Sequence, residues 1–300
     1  MVTPLLINLI LYDLKKFVQF IVTYPRRAPG ILQKHPSKET FSNWLLTRYS
    51  SSTNAFAHTP LSRETLNRET HIFNLSDCYW ITDDNTISFE TASPYLNNYK
   101  DYAIPTLYTN GYLTKRWLSP TQLLKCGDNV EIEVECSHLT RLCHIPCAKV
   151  TYHSKNAILI ENFTSKDIML ESIDISGRLD PDDFDETDIL NLFGFDGFHM
   201  ILLDAIFGNG DRHAGNFGYL RDSNTGEYLS MAPLYDFDHA LDATGTTDNL
   251  LLDAINISKS NKRYKDEAIR ISTIIASHTS NEVFRKRASY ILQQLKELIL

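Results

Sequence analysis

Three hundred residues carrying 29 basic and 37 acidic side chains, for a formal charge of −8, exclude a peptide-sized scaffold and a protein whose main task is to coat nucleic acid. Glycine and proline are scarce, at 12 and 11 residues, and 43% of the chain is hydrophobic, which excludes a disordered or collagen-like chain and supplies a large core. This length predicts one large domain or two lobes around a cleft.

The first apolar run, Leu5 to Leu11, is interrupted by Asn8, followed within a turn by Asp13, Lys15 and Lys16, and preceded by no basic residue. It predicts a packed helix over Leu5 to Val22, with an amphipathic surface helix as the alternative, and neither a secretion signal nor a transmembrane segment. A Pro-rich connector, Tyr24 to Pro36, completes the first region, residues 1–40. Five cysteines, Cys78, Cys126, Cys136, Cys143 and Cys147, are an odd number and predict free thiols in a reducing, cytoplasmic location.

The second region, 41–163, begins with a helical start at Phe41 to Tyr49 and turn-rich polar sequence. From Thr106 to Ile160 the period shortens. Gln122 to Cys126, Ala148 to Tyr152 and Ala157 to Ile160 predict strands, and a helix between them places Ile132, Cys136, Leu139 and Cys143 on one face. The third region, 164–300, reads as mainly helical, with one apolar stripe through Phe195, Phe198, Leu202 and Ile206 and another through Phe284, Ala288, Ile291, Leu295 and Leu298. Thr279 and Glu282 predict a capping box for that last helix. The six carboxylates from Asp180 to Asp188 predict a helix N-terminus, where negative charge is favoured, over a cation site. The thiols and imidazoles between Cys136 and His153 lack the Cys-x-x-Cys spacing of a closed zinc site.

The chemistry concentrates in Asn209-Gly-Asp-Arg-His-Ala-Gly-Asn216-Phe-Gly218, followed by Ala232-Pro-Leu-Tyr-Asp236-Phe-Asp238. An Asp and an Asn five residues apart on one loop, with a further Asp downstream, are the oxygen groups that phosphoryl transfer needs. One carboxylate orients the accepting hydroxyl, and an amide oxygen and a second carboxylate hold a magnesium ion.

The pattern Asp-Arg-His-x-x-Asn-Phe-Gly, then Pro-x-Tyr-Asp, resembles the HipA-like serine/threonine kinases, a kinase-fold family related to the phosphatidylinositol 3- and 4-kinases. The resemblance covers about residues 40 to 245 and is specific at 209–238. It implies an α+β, bilobal protein-kinase-like fold, with a small sheet-containing N-lobe and a larger, mainly helical C-lobe. It implies Asp211 as catalytic base, and Asn216 and Asp236 as metal ligands. Arg212 and His213 are read as support that keeps the loop in shape. Upstream, Lys125 on a strand and Glu133 on the following helix carry over as the phosphate-contacting lysine and its glutamate, although Glu131 and Glu135 leave the register open. Thr109 to Trp117, with Gly111 and Lys115, would cover the phosphates, with a tight turn as the alternative, and Ile158 to Phe163, with Glu161 and Phe163, would be the linker whose backbone meets adenine. The segment Asn74 to Trp80 is similar to one found in members from Gram-positive bacteria.

The resemblance therefore implies an ATP- and Mg2+-dependent kinase acting on protein serine or threonine, in a family that includes toxins paired with an antitoxin partner. No basic helix for direct nucleic acid binding is evident. Two other readings stay open: a lipid kinase of the phosphoinositide type, against which the lack of a basic membrane-facing patch argues, and an inactive nucleotide-binding regulator. Asp238 stands where the family usually has glycine, and so leaves metal stoichiometry open.

Overall fold

In the computed structural model the described residues are 28–35, 37, 39–40, 44, 72–77, 80–81, 107–108 and 113–296. In chain order their elements are α1 (Gly30–Lys34), β1 (Ile72–Asn74), β2 (Trp80–Ile81), β3 (Leu107–Tyr108), β4 (Thr114–Ser119) and β5 (Gln122–Cys126). Then come α2 (Ile132–Leu142), β6 (Val150–Ser154), β7 (Ala157–Glu161), β8 (Ile168–Ser172), α3 (Ile173–Ser176), α4 (Glu186–Phe193) and α5 (Phe195–Phe207). Strands β9 (Gly218–Asp222) and β10 (Tyr228–Met231) and helices α6 (Asn249–Ser260), α7 (Lys262–His278) and α8 (Glu282–Lys296) complete them. The architecture is α+β, as the sequence predicts, with strand orders β2-β1-β3, β4-β5-β7-β6 and β10-β9-β8. The helix expected over Leu5 to Val22 lies outside the described residues, as do Phe41 to Tyr49 apart from Trp44, Cys78, Tyr79, Thr109, Gly111 and Leu298.

The chain divides into two compact units: residues 1–127, 159–178 and 218–230 form one, and 128–158, 179–217 and 231–300 the other. In the first unit, β4 and β5 form a hairpin whose register sets Lys115 opposite Lys125 and Trp117 opposite Leu123. Trp117 is buried, while Thr114, Arg116 and Leu118 on the other face are exposed, the alternation a half-covered strand requires. The sequence reads as mainly helical after Ile160, yet β8, β9 and β10 make a sheet there. Gly218 opens β9 because Ser172 lies directly opposite and a Cβ at 218 would run into the Glu171 carbonyl. The connector also holds more order than its prolines suggest. Pro29 opens α1, whose Gly30 and Leu32 are buried, and the Lys34 ammonium donates to the Gly177 carbonyl at 2.6 Å.

In the second unit, α2 buries Cys136 and Leu139 along the predicted face, and Cys143 follows at its C-cap. Strand β6 starts two residues later than predicted, because the Ala148 N–H is already spent on the Leu234 carbonyl at 2.8 Å. Helix α4 begins in a capping box between Asp185 and Asp188, which is what the acidic run predicts. Helix α5 is buried on every side from Gly197 to Phe207, so the predicted stripe is one face of a fully enclosed helix. Its large apolar side chains each contribute roughly 1.5–3 kcal/mol on burial. The capping box expected at Thr279 and Glu282 does not form. Asn281 caps α8 instead, accepting from the Val283 N–H at 2.9 Å, while the Thr279 hydroxyl donates to Glu135 at 2.6 Å. The four described cysteines are free thiols, and burial pushes Cys147 up to about 12.

Candidate active site

The motif loop starts where α5 stops. Gly208 adopts a left-handed conformation (φ 64°) as C-cap, and a side chain there would collide with the Ala243 carbonyl, so glycine is required on two counts. Of the two carboxylates in α5, Asp196 lies in the first turn and Asp204 is buried at 4% exposure, and a buried charge of that kind must find partners. It accepts from Arg212 Nε and Nη2, both at 2.9 Å, and from Asn209 Nδ2 at 2.8 Å. Arg212 then spends Nη1 on two carbonyls, Asn216 at 2.8 Å and Tyr235 at 2.7 Å. One guanidinium thus ties α5, the 209–216 loop and the residue before Asp236 together. Burial opposes its charge, but Asp204, and Asp236 at longer range, hold it protonated.

Asp211 and Asn216 share this loop: the Asn216 amide donates to the Asp211 carbonyl at 3.2 Å, and the Asn216 N–H to the His213 carbonyl at 2.9 Å. Asn216 is buried, whereas the Asp211 carboxylate is 46% exposed. His213 accepts from the Gly215 N–H through Nδ1 at 3.1 Å, and its Nε2 lies 4.0 Å from Asp211 Oδ2. The second motif is bonded to the first: the Tyr235 hydroxyl donates to the Gly215 carbonyl at 2.9 Å, and Asp236 takes a left-handed φ of 61°. That conformation costs a non-glycine residue energy and is held by the bonds on either side of it.

Carboxylate oxygens of Glu133, Asp236 and Asp238 all lie within 4.8 Å of one another, the one group of potential ligands of this kind among the described residues. Glu133, 1% exposed on α2, thus has a carboxylate oxygen within 4.8 Å of oxygens of the second motif. Three carboxylates close together form an oxygen donor set of the kind hard divalent cations take. Asp238 belongs to the set, so the residue that departs from the family pattern is placed with Asp236 and Glu133. Sequence reading did not single out Asp204, His239 or Asp242. Asp204 was visible as the lone carboxylate in the apolar run that follows Asp196 in that helix. His239 Nδ1 bonds Asp242 Oδ2 at 2.8 Å, three residues away, and that bond, with the charges of Asp238, Asp211 and Asp242, raises the imidazole above its ordinary value.

In the first unit, Lys125 is fully buried on β5, an inner strand, and Lys115 faces it across the hairpin. Glu161 ends β7 exposed and Phe163 is half-buried. Asn162 between them fixes the turn, donating to the carbonyls of Leu75 at 3.0 Å and Pro120 at 2.9 Å, while its N–H reaches the Thr121 carbonyl at 2.9 Å.

No family model matches the chain. Over 82 residues, 27% of its length, it is 38% identical to the serine/threonine-protein kinase CtkA of Helicobacter pylori strain J99, a stretch spanning 23% of that protein. Among solved structures it is similar to a Helicobacter pylori proinflammatory kinase CtkA, with a TM-score of 0.43 and 18% identity over 64% of this chain and 93% of that one. It is also similar to HipA of Shewanella oneidensis MR-1, solved with HipB and its operator DNA, with a TM-score of 0.40 and 13% identity over 61% of this chain and 59% of that one. Over the 82-residue stretch the chain is homologous to a serine/threonine kinase, which bears out its resemblance to the HipA-like kinases.

Proposed function

We propose that the chain is an ATP- and magnesium-dependent kinase of the HipA-like type that phosphorylates serine or threonine in a protein. The observation that carries this is the tie through Arg212, which fixes Asp211 and Asn216 on one loop and reaches the residue before Asp236. Asp211 holds the acceptor hydroxyl and takes its proton as the oxygen forms its bond to the γ-phosphorus. The bond from that phosphorus to the bridging oxygen breaks, and its electrons leave with the nucleoside diphosphate. Asn216 and Asp236 would hold magnesium, with Glu133 and Asp238 supplying further oxygen close to Asp236. When bound, the metal neutralises charge on the phosphate oxygens. Lys125 with Glu133, Lys115, Thr109 and Gly111 are assigned to nucleotide binding by the resemblance to the HipA-like kinases. The backbone at Glu161 and Phe163 receives adenine. A cytoplasmic location, read from the odd number of cysteines, and an antitoxin partner, implied by the resemblance to the HipA-like kinases, complete the proposal.

The test is purified chain with labelled ATP and magnesium, read by mass spectrometry on the chain itself and on dephosphorylated casein. Phosphoserine or phosphothreonine is expected. Asp211→Asn keeps the shape of the side chain, so nucleotide affinity should stay within a few-fold while transfer falls by roughly 10²-fold or more. Nucleotide binding with no transfer, or label appearing only in phosphoinositides, would sink the assignment.

A further inference from the structure

We propose that His239, held in place by Asp242, is the positioning residue of Asp211: it occupies one carboxylate oxygen so that the other faces the acceptor hydroxyl. The inference rests on the phosphoryl-transfer reading of Asp211 and extends it to a residue outside the motif.

The turn that carries His239 is fastened to the motif loop by its backbone. The Leu241 N–H donates to the Phe207 carbonyl at 2.9 Å and the Ala243 N–H to the Gly208 carbonyl at 3.0 Å, while the Ala240 N–H closes the turn on Phe237 at 3.0 Å. Asp242 lies against Gly210, where an added Cβ would sit 3.5 Å from the Asp242 Cβ and 3.7 Å from its Oδ2. Between these anchors the His239 ring is oriented from one side only. Its Nδ1 is 2.8 Å from Asp242 Oδ2, which directs Nε2 to within 3.6 Å of Asp211 Oδ2.

His213 approaches the same oxygen from 4.0 Å. The Asp211 oxygen that both imidazoles approach is Oδ2. A base that must receive one proton from one direction gains from that asymmetry, because a freely rotating carboxylate presents either oxygen. Contacts to catalytic groups are commonly long before substrate binds, and 3.6 Å is within reach of tightening. The ring is about half exposed, so it supports no core and its replacement leaves the fold in place.

Two substitutions separate positioning from mere packing. His239→Gln sets its amide nitrogen near the place of Nε2, keeping a donor towards Asp211 and giving up Asp242. His239→Asn sets it near Nδ1, keeping Asp242 and giving up Asp211. With labelled ATP and dephosphorylated casein, His239→Ala and His239→Asn should lower kcat about tenfold with the nucleotide KM unchanged, and His239→Gln should stay within about threefold of the native chain. In an Asp211→Asn background, His239→Ala should cost nothing further, as expected of residues that act as a unit. The reverse order, native turnover for Asn and loss for Gln, would show that the ring only ties down Asp242 and would overturn the proposal. So would native turnover in all three variants while Asp211→Asn is impaired. If Asp211→Asn itself transfers phosphate normally, the kinase assignment of that residue fails first, and the two failures are told apart by that one control.

Discussion

Two buried arginines show the same chemistry put to different ends. In the first unit Arg221, fully buried, pairs with Glu171 and donates to the carbonyls of Ala28 at 3.1 Å and Gly226 at 3.1 and 2.9 Å. Glu171 in turn accepts from the Tyr228 hydroxyl at 2.6 Å and the Gly30 N–H at 3.1 Å. These partners are scaffold: a hairpin turn, a connector and a sheet. In the second unit Arg212 pairs with Asp204 through two nitrogens, but its remaining donors go to Asn216 and Tyr235, the backbone of the two motifs. A buried ion pair is weak evidence of stability, since desolvation offsets much of the attraction. What distinguishes the two arginines is where their spare N–H groups point. Burial raises the Glu171 carboxyl against the pull of Arg221, the signature of a pair whose desolvation is substantial.

The contrast can be broken by substitution. Arg212→Lys keeps a charge for Asp204 but loses the planar fork that spans both motif segments. Phosphoryl transfer should fall by tenfold to about a hundredfold while the chain stays folded; transfer at the native rate would reduce Arg212 to scaffold, like Arg221. Arg221→Met removes one partner of a buried pair and leaves Glu171 uncompensated. Denaturant unfolding should show a loss of roughly 3–5 kcal/mol, with turnover per folded molecule unchanged. A turnover defect there would erase the distinction from the other side.

A third pair gives the smallest effect and sharpens the comparison through pH. Asp248 caps α6 by accepting from the Leu251 N–H at 3.1 Å and also binds the buried Arg287. Burial works to raise its carboxyl, but the hydrogen bonds from Arg287 and Leu251 outweigh it, and the net shift is downward. A carboxylate lowered in the fold contributes stability above its unfolded value and loses it as pH falls through the folded one. Thermal midpoints should therefore drop from about pH 4 downward, and Asp248→Asn should flatten that slope while costing stability near neutral pH. An unchanged slope in the variant would assign the acid loss to other groups.

The sequence made the motif chemistry legible because Asp211, Asn216 and Asp236 sit in short strings whose residue types are chemically unusual together. Strand β5 and helix α2 were legible too, since period and polarity agree there. The second sheet was not. Ile168–Ser172 and Tyr228–Met231 are five- and four-residue strands, and runs that short carry no periodicity that separates them from helix or loop. The cap of α8 was misplaced because Thr279 and Asn281 are both good capping residues, and only the neighbouring Glu135 decides which is free. The positioning pair His239 and Asp242 was hidden for a related reason: its meaning depends on Gly210, nearly thirty residues earlier in the chain.

The glycine at 208 has a further consequence for how this chain tolerates change. Because the backbones at Gly208 and Ala243 touch with no side chain between them, and two N–H···O bonds stitch the same place, the two motif segments behave as a single rigid tile. The chain between them leaves the second unit at Gly218 and returns at Met231, so the β9–β10 hairpin is a detour whose ends are fixed independently of its length. Extra residues at its Asn224–Gly226 turn would lengthen the detour without moving the tile, whereas one inserted residue between Phe207 and Asp211 would shift every register that the site depends on.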